Sequence, residues 1–296
     1  MASVLISGAG PIGLTMANEL ARYGVSVRIV DKAAARTDKS KALVLWPRTL
    51  ELLRHGGYVE PFLKAGNIAH GAQLSDGKTI VARVTMDGID TAYPYALMIA
   101  QSETERVLEE TLASRGVKVE RTVSMESFSE KSTGGLEAVL RKADGTSETV
   151  QADWLLGCDG AHSTTRHALG FSFEGSTQDS DWYLADVHVT GLEPTDMLHI
   201  FWHRDGILAF FPITAGRCGS SPTSDRQPAA AIIPIRRWTR SRPWSPIAAT
   251  RGSSSRTRCG WRRFASTNAR SRTIAAAACS SPATPPTSTA RPAARA

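Results

Sequence analysis

Gly8-Ala9-Gly10-Pro11-Ile12-Gly13 is a GxGxxG run, and Asp31 follows Gly13 by 18 residues. These residue types at this spacing suit a dinucleotide. Gly8 allows a tight turn, Gly10 lets the backbone approach a pyrophosphate, and Gly13 lets a helix pack closely on a strand. A helix N-terminus then faces the phosphates, and Asp31 can accept hydrogen bonds from a ribose hydroxyl. A glycine-rich turn with no ligand would share the same letters, so the flanking elements decide. Residues 2–7 are a short apolar run that stops at Gly8, as a buried parallel strand would. The pattern predicts a helix from Pro11 to Tyr23, with Ile12, Met16, Leu20 and Tyr23 at helical spacing and Gly24 as its C-cap glycine. Residues 25–30 form a second β-rich run that ends at Asp31. Strand, turn, helix and strand make a βαβ unit.

Further along, Pro47 opens a helical stretch to about Leu53, while residues 79–86 and 136–141 read as strands. Ser102-Glu-Thr-Glu105 has capping-box spacing and opens a helix to about Ser114, which Gly116 would end. Residues 150–158 read as one buried strand ending at Asp159-Gly160. Strand candidates follow at 182–189, 198–203 and, after the turn Arg204-Asp205-Gly206, at 207–211. The fold class is α/β with a β-rich insertion.

The chain has 296 residues, 42% of them hydrophobic, enough for one large domain or two ordinary ones. It has no run of about 18 apolar residues, and its N-terminus lacks the basic and small-residue features of a signal peptide. Cys158, Cys218, Cys259 and Cys279 lie too far apart for a CxxC metal or redox site. A soluble cytoplasmic protein with no membrane partner and no metal is expected. The net charge of +7 hides two different halves. From Gly219 onward there are 14 Arg, no Lys, the single acid Asp225 and 9 of the 15 prolines. That composition predicts a disordered or irregular tail. The body before it is net acidic.

Four segments then carry a resemblance. GAGPIGLTMANELARYGVSVRIVDKAAA, SKALVLWPRTLELLRHGG, IAQSETERVLEETL and LLGCDGAHSTTRHALG, in that order, resemble the p-hydroxybenzoate hydroxylase-type FAD-dependent aromatic monooxygenases, closest to the phenol and aryl-propionate hydroxylase-like branch. The resemblance runs from residue 1 to about 217. It implies a Rossmann-like FAD-binding domain with a β-rich substrate-domain insertion. The expected layout is 1–75 as the FAD-binding βαβ part, 76–100 as a substrate-sheet segment, 101–175 as the FAD-binding part continued, 176–218 as the substrate-domain sheet, and 219–296 as the aberrant tail.

The resemblance also implies roles. Gly8, Gly10, Pro11, Ile12 and Gly13 would bind the FAD, with Asp31 and its neighbour Lys32 at the adenosine ribose. Arg48 would sit near the diphosphate, and Gln101 would contact the ribityl or adenosine side. Asp159, Gly160 and Arg166 belong to a second fingerprint that serves both FAD and the nicotinamide reductant. Ordinary structural roles fit the same residues: Arg48 as a solvated helix charge, Gln101 as a cap neighbour, Asp159 as a turn aspartate. In the implied reaction NADH or NADPH reduces FAD, O2 adds at the flavin C4a, and the hydroperoxide hydroxylates a phenolic or other small aromatic substrate. No protein nucleophile is needed, so no catalytic residue is assigned. His199, Phe201, Trp202, Phe210 and Phe211 are candidate substrate walls, and a plain sheet core explains them equally. His162 and His203 have no visible partner and suit surface or packing roles.

The family pattern should also carry a third fingerprint of the form GDAAH after the substrate sheet, and none is readable. Shifted by one nucleotide, however, the codons from Ala283 onward permit GDAAHIHSPAGGQG at every position. A frameshift near Arg217–Gly219 would explain the missing motif, the charge step and the proline excess together. The chain would then be impaired, retaining FAD weakly and hydroxylating little. Two other readings stay open: a basic-tailed nucleic-acid binder, and a flavin reductase or halogenase relative. The missing Lys, sparse aromatics and absent motif argue against a nucleic-acid partner.

Overall fold

The computed structural model describes residues 3–37, 42–189, 192–203, 206–213, 227–236 and 260–268, with 176–189, 227–236 and 260–268 described by backbone alone. In chain order the elements begin with β1 (Ser3–Ser7), α1 (Pro11–Arg22), β2 (Ser26–Asp31), β3 (Val44–Leu45), α2 (Pro47–His55), α3 (Glu60–Ala65) and β4 (Asn67–Ala69). There follow β5 (Gly71–Ser75), β6 (Ile80–Thr85), β7 (Ala96–Met98), α4 (Gln101–Ser114), β8 (Val119–Arg121), β9 (Ser124–Glu130) and β10 (Leu136–Arg141). The remainder are β11 (Ser147–Ala152), β12 (Trp154–Gly157), α5 (Thr164–Ala168), β13 (Ser176–Val189), β14 (Met197–His203), β15 (Gly206–Phe211), β16 (Gln227–Arg236) and β17 (Gly260–Asn268).

The chain divides into two compact units. The first holds residues 3–35 and 112–172. Its centre is a four-stranded sheet in the order β12-β1-β2-β8, and every pairing in it is parallel. β1 is buried along Val4–Ser7, as an inner parallel strand must be. An antiparallel sheet, β11-β10-β9, packs on it. Leu5, Val30 and Leu155 meet Val123, Met125, Leu136, Ala138 and Leu140 in one core.

Two readings of this unit need correction. The stripe Ile12, Met16 and Tyr23 on α1 faces outward, at 66%, 36% and 67% exposure, and the buried face is Gly13, Leu14, Ala17 and Asn18. Small residues take the inner face because the helix must approach the sheet closely. The run at 150–158 is also not one strand. It breaks at Asp153, whose carboxylate accepts the Ser3 N–H at 2.6 Å, and the chain passes there from β11 in one sheet to β12 in the other.

The second unit comprises the described residues of 36–111 and 173–272. It carries a seven-stranded sheet in the order β17-β13-β16-β15-β14-β5-β6 and a small sheet, β3-β7-β4. The large sheet already takes in residues 71–75, before the expected segment at 76–100. Residues 36–75 and 101–111 belong to this unit rather than with the βαβ part. Leu43, Ala69, Ala96, Met98 and Ile213 form its core, with Phe211 packed against them.

Two stretches of the tail, 227–236 and 260–268, are strands pairing with β13. The first contains Ile232, Ile233 and Ile235, β-branched residues that suit a pleated sheet better than the surrounding Ala-Pro-Arg composition suggests. The rest of the expected irregular tail lies outside the described residues, as does His203's side chain. No described helix is long and apolar enough to cross a membrane.

Candidate functional site

In the first unit β1 delivers the chain into the Gly8–Gly13 loop, and Pro11 starts α1 at a position where its missing N–H costs nothing. The three glycines meet different demands. Gly8 has φ +104°, and a Cβ there would lie 2.3 Å from the carbonyl oxygen of Cys158. A Cβ on Gly13 would lie 1.9 Å from the carbonyl oxygen of Gly8. Protein backbone therefore excludes any larger residue at both. Gly10 is different. Its φ is −75°, which any residue adopts, and a Cβ there would meet nothing within 4 Å. The space beside it is open above the first turn of a 12-residue helix, whose leading N–H groups have no partner inside the helix. Ile12 is exposed on that same turn.

Asp31, at the end of β2, holds the loop. One carboxylate oxygen accepts the Ala9 N–H at 2.6 Å and the other accepts the Ala33 N–H at 2.7 Å. A carboxylate offers about four acceptor positions, so a ribose hydroxyl can still be received. Lys32 is exposed beside it. This arrangement fits FAD: a close-approach glycine, a helix N-terminus and an acid at the strand end lie on one short stretch of chain. The same unit carries Asp159, Gly160 and Arg166. Asp159 is turned into its own loop, accepting from the Ser163 hydroxyl and from the Thr165 N–H at 3.2 Å. Ser163 in turn caps α5 by accepting the Arg166 N–H at 2.9 Å, and the Arg166 guanidinium donates to the Ala161 carbonyl at 2.6 Å. Gly160 has φ +77° with open space at its Cβ. His162 is exposed.

Two expected residues lie in the second unit. Arg48 is 77% exposed and pairs with Glu51 at 2.9 Å, one turn along α2. Glu51 also accepts the Thr91 hydroxyl at 2.6 Å, and this bond, then Arg48, holds its carboxyl below the usual range. Gln101 is the first residue of α4 and donates to Glu105 at 2.9 Å. The helix thus starts one residue before Ser102, and the expected capping box does not form: Glu105 points inward, 4% exposed. This residue was legible only as a cap. Its burial has no sequence signal, because the same spacing serves both uses.

The candidate substrate walls do not form one wall. Register places His199 opposite Phe210 and Trp202 opposite Ile207, so His199, Phe201 and Phe210 share one sheet face while Trp202 and Phe211 lie on the other. His199 is buried with its Nε2 2.8 Å from the Pro194 carbonyl, and Phe201 packs edge-on to Phe210 at 6.0 Å. Trp202 is 60% exposed.

Comparison with known proteins agrees with this geometry. A family model described as an FAD binding domain matches residues 1–282. The chain is 36% identical over 211 residues to 6-methylpretetramide 4-monooxygenase of Streptomyces rimosus, covering 71% of this chain and 37% of that protein. It is 31% identical to pentachlorophenol 4-monooxygenase of Sphingobium chlorophenolicum, covering 69% of this chain and 38% of that protein. The chain therefore spans well under half the length of these relatives. Among solved structures, aklavinone-11 hydroxylase with FAD and aklavinone superposes with a TM-score of 0.65 at 25% identity, over 79% of this chain and 46% of that one. The p-nitrophenol 4-monooxygenase of Pseudomonas putida DLL-E4 shares the fold, with a TM-score of 0.71 at 18% identity over 91% of this chain and 69% of that one. With its Gly8–Gly13 loop, its βαβ unit and a family match over nearly its whole length, the chain belongs to the FAD binding domain family.

Proposed function

We propose that this chain is the FAD-binding and substrate-sheet portion of a monooxygenase that uses NADH or NADPH and O2 to hydroxylate a phenolic or other small aromatic compound in the cytoplasm. The open space at Gly10, above the N-terminus of α1, carries this reading. Neither backbone conformation nor packing demands glycine there, and a pyrophosphate does. Relatives named for pentachlorophenol and 6-methylpretetramide support an aromatic substrate.

Bound FAD would supply the redox chemistry and oxygen activation. The chain's own residues would bind and orient. Gly10 and the first turn of α1 take the diphosphate, Asp31 takes the adenosine ribose beside Ala9, and Lys32 lies at the ribose edge. Arg48, freely solvated apart from Glu51, is available to a phosphate, and the Gln101 amide to the ribityl or adenosine part. Asp159, Gly160 and Arg166 shape the second loop for FAD and the nicotinamide reductant.

We also propose that the tail from Gly219 is read one nucleotide out of frame. As written, Ala283–Ala296 stands where the third motif belongs, which weakens FAD retention and suppresses hydroxylation. Purified protein titrated with FAD, then assayed for NAD(P)H oxidation and phenol hydroxylation, tests both statements. A folded protein that shows no FAD binding would overturn the cofactor reading. A flavin-saturated protein coupling NADPH oxidation to hydroxylation would overturn the impairment. Resequencing the gene across the codons for Pro212 to Asp225 tests the frame itself.

A further inference from the structure

Glu105 lies one turn beyond Gln101 on α4 and is 4% exposed. A carboxylate is rarely so buried, and burial costs free energy unless its oxygens are satisfied. One oxygen accepts from the Gln101 side-chain nitrogen at 2.9 Å. The other accepts the backbone N–H of Thr37 at 3.3 Å. Both donors are neutral. One turn further, Glu109 meets Arg36 at 3.3 Å. The two acids are four residues apart and share a helix face, so α4 holds the Arg36–Thr37 segment at two points, and the inner acid holds Gln101 as well. The helix start does not need Glu105: the Glu103 and Thr104 N–H groups both bond the Ala100 carbonyl at 3.0 Å.

A carboxylate only accepts, so it decides which end of a side-chain amide faces it. With its nitrogen drawn inward, Gln101 must turn its carbonyl oxygen away from Glu105. We infer that Glu105 is a positioning residue for the flavin cofactor: it fixes the amide orientation of Gln101 before FAD arrives, so that Gln101 presents an acceptor to a cofactor hydroxyl. This inference rests on the FAD reading given above.

A double-mutant cycle on FAD affinity, read by flavin fluorescence, tests it. Gln101→Ala and Glu105→Ala should each weaken FAD binding by about tenfold. The double variant should be no weaker than Gln101→Ala alone. Losses that multiply, or a Glu105→Ala variant with unchanged affinity, would overturn the inference. Glu105→Leu keeps a side chain of similar bulk, offers no acceptor and guards against a variant that fails to fold. In the FAD-free protein, NMR should show slowed exchange of the Gln101 side-chain amide protons in the parent and free exchange in Glu105→Leu. Equal exchange in both would also overturn it. Should the parent bind no FAD, the cofactor reading falls, and the amide exchange still decides whether Glu105 positions Gln101.

Discussion

The Gly8–Gly13 loop and the Asp159–Arg166 loop both leave a parallel strand of one sheet and enter a helix, and each has one acid at its root. Both acids tie down backbone: Asp31 binds the N–H groups of Ala9 and Ala33, and Asp159 binds Ser163 and the N–H of Thr165. The loops differ in why their open glycine is there. A Cβ would meet nothing within 4 Å at Gly10 or at Gly160, but the φ of +77° at Gly160 itself favours glycine, whereas the φ of −75° at Gly10 does not. The first loop ends on a 12-residue helix, and the second ties itself together through Ser163, Arg166 and Ala161 before a five-residue helix. An acid in a fingerprint is thus a loop organiser first. Gly10 is the glycine that neither φ nor packing requires, and it is where the proposed diphosphate would sit.

The largest effects should separate the glycines. Gly13→Ala drives a Cβ into the Gly8 carbonyl oxygen, a backbone atom that cannot yield. We expect a loss of at least about 3 kcal/mol, read as a collapse of the thermal transition. Gly10→Ala should leave stability within about 0.5 kcal/mol and weaken FAD binding at least about tenfold. Equal loss of stability in both variants would erase the distinction between packed and open glycines. Next comes Asp159→Ala, which leaves the Ser163 hydroxyl and the Thr165 N–H without their acceptor. Urea unfolding should show a cost of about 1–2 kcal/mol. An FAD affinity that falls far more than this would show that the second loop contacts cofactor directly.

The first of these loops was legible in the sequence because glycine spacing and strand patterns are local. GxGxxG followed by Asp31 specifies a turn, a helix and a strand without long-range contacts. The face of α1 was not legible: Ile12, Met16 and Tyr23 form an apolar stripe at helical period, yet close approach to the sheet selects Gly13, Ala17 and Asn18 instead. Glu105 was misplaced for a related reason, since a Glu four residues after Gln101 suits a surface cap as well as an inward hydrogen bond. The break at Asp153 depends on Ser3, 150 residues away. Sheet assignment there is a tertiary fact that no window of sequence contains.

Smaller effects concern the sheet that carries both loops. Arg28 on β2 bonds Glu120 at 2.7 Å and Glu148 at 2.8 Å, and Lys142 reaches Glu148 at 2.9 Å. Arg28 first, then Lys142, holds the Glu148 carboxyl down to about 2, below its ordinary value of 4.5. A depressed carboxylate stabilises the fold above its unfolded value, and that contribution drains away as pH falls from about 4.5 toward 2. The urea midpoint should fall in that window, and Glu148→Gln should flatten the fall at a cost of about 1 kcal/mol at neutral pH. A midpoint equally steep in the variant would assign acid sensitivity elsewhere.

The least effect should come from Cys158, the residue that joins the two loops: its carbonyl packs on Gly8 and its chain neighbour is Asp159. Burial, then the Asp159 charge, pushes its thiol up to about 11. The thiol is therefore neutral at pH 8, and alkylation by iodoacetamide should run about a hundredfold slower than for a free cysteine. Peptide mapping by mass spectrometry distinguishes Cys158 from Cys218, Cys259 and Cys279. Asp159→Asn removes only the smaller of the two causes, so Cys158 should stay slow in that variant. Gly13→Ala should speed it, because the added methyl would come within 3.2 Å of the Cys158 Cβ and force the loops apart. Rapid alkylation of Cys158 in the unmutated protein would mean that Gly8 does not pack on the Cys158 backbone, and the contrast between a packed and an open glycine would fall with it.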